Sequence, residues 1–288
     1  MVTPMETCEN RSLRVITNEG LVQQYTRATL SGRDTLSFLP NAFELQLWNL
    51  SDSEDRLLSS AKTLQVEVPV SRGPQSEIRP SQTEDHRPGD LLPLSLSTLA
   101  FGTISEVYRE KTQLGTITTV TFSPLLPLWT SRVILDVPAG KKVSETVNLI
   151  LAASGTQIRL LYYPRYHDPV RSRGQSFAGR AAECISDAVS FAGDRAMMAP
   201  SGVCIVPEGG AGTSIFISDG DLLSEPSYVA EKRIVLRTNV VGWSVGKTAS
   251  VSWKDTTTTG IIRERSLDLD TSASGPWRAE LYLEVLPQ

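Results

Sequence analysis

The feature that most constrains this 288-residue chain is an alternation of apolar and polar side chains with a period of two. In Ala42–Trp48, Phe43, Leu45 and Leu47 fall on one side and Glu44 and Gln46 on the other. That is the pattern of a strand with one face in a core and one in water. Thr63–Val70 repeats it with Leu64, Val66 and Val68, and Tyr25–Ser31 shows a mixed form of it. Further strands are predicted at 97–108, 114–122, 132–137, 156–163, 203–206, 213–218, 232–240, 245–253, 259–268 and 277–286. Thr, Val and Ile are plentiful in them, and such side chains suit a pleated surface.

Three helices interrupt the strands. Ser51 and Glu54 stand at capping-box spacing and open a short helix to about Ala61. A second is predicted over about 142–153, with Val143, Val147, Ile150 and Leu151 on one face and Gly155 just past its end. For the third, Phe177, Ala181, Cys184, Ile185, Ala188, Phe191 and Ala192 form one stripe of a 3.6-residue helix that ends at Gly193. Residues 71–95 hold Pro74, Pro80, Pro88 and Pro93 without periodicity and read as an exposed loop. The stretch 164–175 is locally basic, with Arg165, Arg171 and Arg173 against Asp168. It fits either an anionic partner or, more simply, a solvated loop or subunit contact. Glu208–Gly212 joins two strands. The order of elements predicts a mainly β framework with an α/β insertion near the middle. The length fits two compact domains, or one domain with an insertion.

Composition narrows the chemistry. Hydrophobic residues at 40% and charged residues at 21% are ordinary for a folded domain, so disorder and fibres are not expected. Cysteines stand at 8, 184 and 204 and histidines at 86 and 167, with no CxxC and no Cys/His pair at ligand spacing. A zinc finger or ribbon is excluded, a disulfide framework is not expected, and no metal or cofactor is predicted. Free thiols fit folding in a reducing compartment. A net charge of −4 and a pI near 5.4 argue against a surface built to grip nucleic-acid phosphates. No apolar run reaches the roughly 18 residues of a spanning helix. The opening MVTPMETCENRS lacks the basic and apolar regions of a signal peptide, so synthesis in the cytoplasm is expected, without stable membrane insertion.

Several motifs invite a catalytic reading. Gly242-Trp-Ser244-Val-Gly246 fits the GxSxG elbow, but that motif needs a helix after it and a later histidine. Here Ala249–Trp253 alternates like a strand, and no histidine follows position 167. Gly246-Lys247-Thr248 has the end of a P-loop, yet only three residues separate Gly242 from Gly246, where four are needed. Gly209, Gly210 and Gly212 do not make a dinucleotide fingerprint. The adjacent carboxylates Glu54/Asp55 and Glu84/Asp85 read as solvated charge, and His86 and His167 as exposed loop residues. Trp48, Trp129, Trp243, Trp253 and Trp277 read as strand-borne core anchors or interface residues. A base-stacking platform would carry interleaved Lys and Arg, which they lack. No catalytic, cofactor-binding or metal residue is assigned.

One arrangement resembles a known family. Asn41–Leu57 is a strand ending in Asn-Leu-Ser and followed by a short helix, with Leu64–Val68 as the next strand. This is similar to the opening of the baseplate hub proteins of contractile and long-tailed bacteriophages. Leu99–Val107 with Thr116–Ser123 resembles the hairpin of that family, and Val133–Gly140 with the helix from Val143 its next element. Gly220–Pro226 resembles the turn before the closing β-domain. Lys232–Val240, Val245–Trp253 and Trp277–Val285 take the places of its last strands. The resemblance covers roughly residues 12–286. It departs from the family at the long 71–95 loop and at Glu225, where a glycine is usual.

The resemblance implies two tail-tube-like β-barrel domains, the second interrupted by a helical segment. These are 1–140, then an α/β insertion at 141–206, then 207–288. It further implies a non-enzymatic virion protein of the tail baseplate. Three copies would place six tube-like domains in a ring between the hexameric tail tube and the central spike or tail tip, with the tape measure protein as another partner. DNA would pass through the lumen without specific binding. A distal-tail or tail-tip adaptor forming a hexameric ring is the alternative, and a carboxylate hydrolase a remoter one.

Overall fold

The computed structural model describes residues 11–25, 27–38, 41–68, 98–113, 115–163, 168–199, 202–207, 214–230 and 232–286. The loop expected at 71–95, the connection at 208–212, and Cys8, Glu84, Asp85, His86 and His167 lie outside them.

The first β unit holds β1 (Leu13–Thr17), β2 (Gly20–Tyr25), β3 (Ala28–Thr35), β4 (Phe43–Trp48), helix α1 (Asp52–Ser60), β5 (Thr63–Glu67), β6 (Thr98–Thr112) and β7 (Gly115–Ser123). An α/β layer follows: α2 (Leu126–Thr130), β8 (Arg132–Val137), α3 (Val143–Ala153), β9 (Arg159–Tyr162), β10 (Gln175–Arg180), α4 (Ala181–Ser190), β11 (Arg195–Ala199) and β12 (Gly202–Val206). The second β unit holds β13 (Ser214–Ile217), β14 (Ser227–Ala230), β15 (Arg233–Thr238), β16 (Thr248–Trp253), β17 (Thr256–Asp270) and β18 (Trp277–Val285). The chain is therefore mainly β with an α/β segment between its β portions.

One sheet runs through both β units. Its order is β14-β15-β18-β17-β3-β4-β7-β6-β5-β1-β2, with β16 on β17 and β13 on β16. Every pairing is antiparallel except β13 with β16. The joint is β17. Its first half pairs with β16 and its second half with β3, while β18 follows it along the other side. A bulge lies between Ile262 and Glu264, where the partner changes. Bulges bend a strand and re-aim its side chains, which suits this transfer from one unit to the other.

The inward residues of both units merge into one core, from Leu13, Leu45 and Phe122 to Leu236, Ile261 and Leu281. Fully burying a side chain of this size contributes about 1.5–3 kcal/mol. The α/β layer has its own core of Val143, Val147, Ile150, Phe177, Ile185 and Ile205. That second core also takes in Leu125, Leu128, Val133 and Val137. The packing seam thus falls near residue 124, ahead of the boundary expected at 140/141, because β8 pairs with β10 and not with the large sheet.

Three expectations need correction. The segment 25–31 is not one strand: β2 ends at Tyr25 and β3 begins at Ala28, and they pair with different neighbours. Nor does the third helix include Phe177. Residues 175–180 satisfy their backbone on β8, and α4 starts at Ala181. Phe177 and Ala181 reach the same core from a strand and a helix, so the helical spacing was coincident, and Gly179 weakens any helix there. Trp129 sits on α2, not on a strand. Strands β11 and β14 had no clear alternation to announce them.

The α1 cap forms as its spacing predicts. The Glu54 N–H donates to Ser51 Oγ at 3.4 Å, and the Ser51 N–H donates to the Glu54 carboxylate at 2.8 Å. No described helix is long and apolar enough to cross a membrane.

Candidate functional site

The most extensive feature is the face of the large sheet that turns away from the core. Strand alternation fixes its members by register. Across β18, β17, β3, β4, β7 and β6 one row reads Arg278, Asp268, Ser31, Glu44, Thr121 and Glu106. The neighbouring row across β15, β18, β17 and β3 reads Arg237, Glu280, Ser266 and Arg33. Another reads Asp270, Thr29, Gln46, Thr119 and Tyr108. The residues between them, such as Leu267, Leu269, Leu45, Val120, Leu281 and Ala279, point into the core.

This face carries Glu44, Glu106, Glu110, Glu264, Asp268, Asp270, Glu280 and Glu284 against Arg33, Arg233, Arg237, Arg263 and Arg278. Four of those arginines are held by carboxylates, Arg263 Nε lying 2.6 Å from Glu284. Arg237 Nε lies 3.0 Å from Glu280, Arg278 Nη2 lies 2.6 Å from Asp268, and Arg33 pairs with Glu264. The Tyr282 hydroxyl donates to Glu280. That bond first, and then Arg237, hold the Glu280 carboxyl below its ordinary range, while the same carboxylate raises the tyrosine. Exposed pairs of this kind add little stability, about 0–1 kcal/mol each. Their larger effect is on the potential, because an arginine engaged by a carboxylate is poorly placed to capture a phosphate.

A second feature is buried at the junction of the three parts. Arg265 on β17 is 3% exposed. It donates to Asp34 on β3 at 2.6 Å, to the Leu99 carbonyl at the start of β6, and to the Val241 carbonyl at 3.2 Å. One side chain thus ties both β units together. Lys247 is also buried, and burial, then the charge of Arg265, lower its pKa from the ordinary value.

The catalytic-looking motifs dissolve into structure. Residues 242–247 lead straight into β16 with no helix after Ser244. Gly246 has φ +82°, and a Cβ there would come within 2.9 Å of Met197 Sδ, so glycine is required by the turn and by contact with the α/β layer. Glu54 belongs to the α1 cap, and Asp55 accepts from Arg109. In the basic stretch, Asp168 accepts from the Ser144 N–H and hydroxyl at the start of α3. Arg171 is buried, donates to the Ala188 carbonyl, and lies 4.6 Å from the Phe191 ring. Of its described arginines, Arg171 builds the layer, while Arg173 is exposed. Among the described residues no three His, Cys, Asp or Glu side chains gather as metal ligands would. Cys184 and Cys204 are buried free thiols, and burial pushes Cys204 up to about 12.

Sequence reading missed both features. The charged face was legible in principle, since Ser266, Asp268 and Asp270, and then Arg278, Glu280, Tyr282 and Glu284, alternate with apolar residues. The same alternation puts Arg265 on the inward side with Leu267 and Leu269, but its partners Asp34, Leu99 and Val241 are too distant in sequence to be read locally.

This overall arrangement is similar to that of several solved tail proteins. No family model and no curated protein matches the chain. Among solved structures it is similar to the tail protein from Neisseria meningitidis MC58, with a TM-score of 0.62 at 11% identity over 95% of this chain and 96% of that one. It is similar to the 43 kDa tail protein of prophage MuSo2 from Shewanella oneidensis, with a TM-score of 0.61 at 9% identity over 95% and 96%. It also matches the E. coli c3393 protein, a type VI secretion component described as structurally similar to the T4 tail proteins gp27 and gp5. There the TM-score is 0.62 at 11% identity over 91% of this chain and 74% of that one. At these identities the likeness is one of fold.

Proposed function

We propose that the chain is a structural baseplate hub of a phage tail. In this reading three copies form a ring, each supplying two tube-like β domains, 1–140 and 207–288 in outline, with 141–206 inserted. The ring joins the hexameric tail tube to the central spike or tail tip, meets the tape measure protein, and leaves a channel for DNA. The protein acts by geometry and is assigned no catalysis. The observation that carries the reading is the uninterrupted sheet across both β units. Its polar face has an excess of carboxylates and its arginines are mostly engaged. A channel lined by such a face would let a polyanion slide without capture.

The test is assembly. The chain is mixed with the tube and spike proteins of its own phage and the particles are weighed by mass photometry. A trimer supports the hub, a hexamer supports the distal-tail alternative, and a monomer under every condition refutes both.

A further inference from the structure

Three buried polar atoms at the junction of the β units have no partner among the described residues: Arg265 Nε, Asp34 Oδ1 and the side-chain oxygen of Asn41. All three residues line one cavity of about 40 Å³, together with Leu99, Leu125, Met197, Ser244 and Val245. A buried donor or acceptor left unpaired costs about 1–3 kcal/mol, so three in one cavity call for a shared partner.

The chemistry of the three atoms selects that partner. Arg265 Nε is a donor only, and the Asp34 and Asn41 oxygens are acceptors. A molecule that accepts once and donates twice meets all of them. An anion would face two acceptor oxygens, and a cation would face the guanidinium. Water has the right complement, and the cavity exceeds the roughly 10–15 Å³ that one water requires. We infer that this junction is a binding site for one ordered water, which accepts from Arg265 Nε and donates to Asp34 and Asn41.

The water extends what Arg265 holds. The guanidinium already links β17 to β3 and β6. Asn41 lies just after Phe38, which belongs to the α/β core and whose carbonyl accepts from Trp129 Nε1 at 3.0 Å. A water on Asn41 therefore connects the ion pair to the segment that leads to the third part of the molecule.

A crystal structure of the full chain at a resolution that shows ordered solvent tests this directly. The expected result is one solvent peak within hydrogen-bond reach of all three atoms. In solution, the Arg265 Nε–H should give water cross-peaks of opposite sign in NOE and ROE spectra, the mark of a long-lived buried water. Asn41→Leu should abolish both signals while the melting transition stays cooperative. The inference is overturned if Arg265 Nε bonds directly to Asp34 Oδ1 with no solvent between them. It is equally overturned if the peak has the short contacts of a metal ion, or if the Nε–H shows no long-lived water. The native-protein measurements decide the matter even if the variant does not fold.

Discussion

Arg265 carries a full charge at 3% exposure, so its partners cannot be removed singly without leaving a charge stranded. Arg265→Ala leaves the Asp34 carboxylate without its cation and should cost about 3–5 kcal/mol, read as a lower urea midpoint. Arg265→Met combined with Asp34→Leu should recover most of that loss, since a well-packed apolar pair of similar volume can replace a buried ion pair. Lys247 gives a pH dependence of known sign. Its pKa is lower in the folded chain than the ordinary 10.5, so in the window between the two values the unfolded state binds more protons. Stability from this residue therefore rises with pH through that window, and below it the buried charge is a standing cost. Lys247→Met should raise the melting temperature at neutral pH, by a margin that shrinks as the pH approaches 10.5. An unchanged margin across that range would remove Lys247 as the cause. The buried thiols of Cys184 and Cys204 should react with a thiol reagent only on unfolding.

Single elements show where local rules suffice. The α1 cap is complete within four residues, and Ser51→Ala should cost about 1 kcal/mol, measured by chemical denaturation. Strand β4, the α3 stripe and the closing strands could be read from the chain because each has one buried face, and period alone reveals such a face. The failures share a cause. Phe177 mimicked a helical position because a strand and the helix after it bury residues in the same core. Strand β14 is exposed along its whole length, so it has no alternation to detect. The charged face was readable as alternation but not as one surface, since its rows depend on register between strands distant in sequence. The inward position of Arg265 follows from the β17 alternation, but the junction itself was not readable, because its partners come from separated segments.

At the scale of the whole molecule the sheet face sets the prediction. With Glu44, Glu106 and Asp268 all changed to lysine, the row that crosses six strands becomes basic. If the proposed ring forms, it should then retain duplex or single-stranded DNA at low salt and release it as salt rises, where the native assembly retains none. Equal retention by both rings would separate this face from the channel.

Strand β17 carries a mechanical consequence. It is one covalent segment of 15 residues laddered to β18 along most of its length, and to β16 and then β3 on the other side. Sliding one β unit past the other would shear many hydrogen bonds at once, and peeling them apart would have to begin at β3. Each subunit should therefore act as a stiff arc segment. In the proposed ring, any widening would have to come from rotation between neighbouring subunits, leaving the two lobes within each subunit fixed to one another.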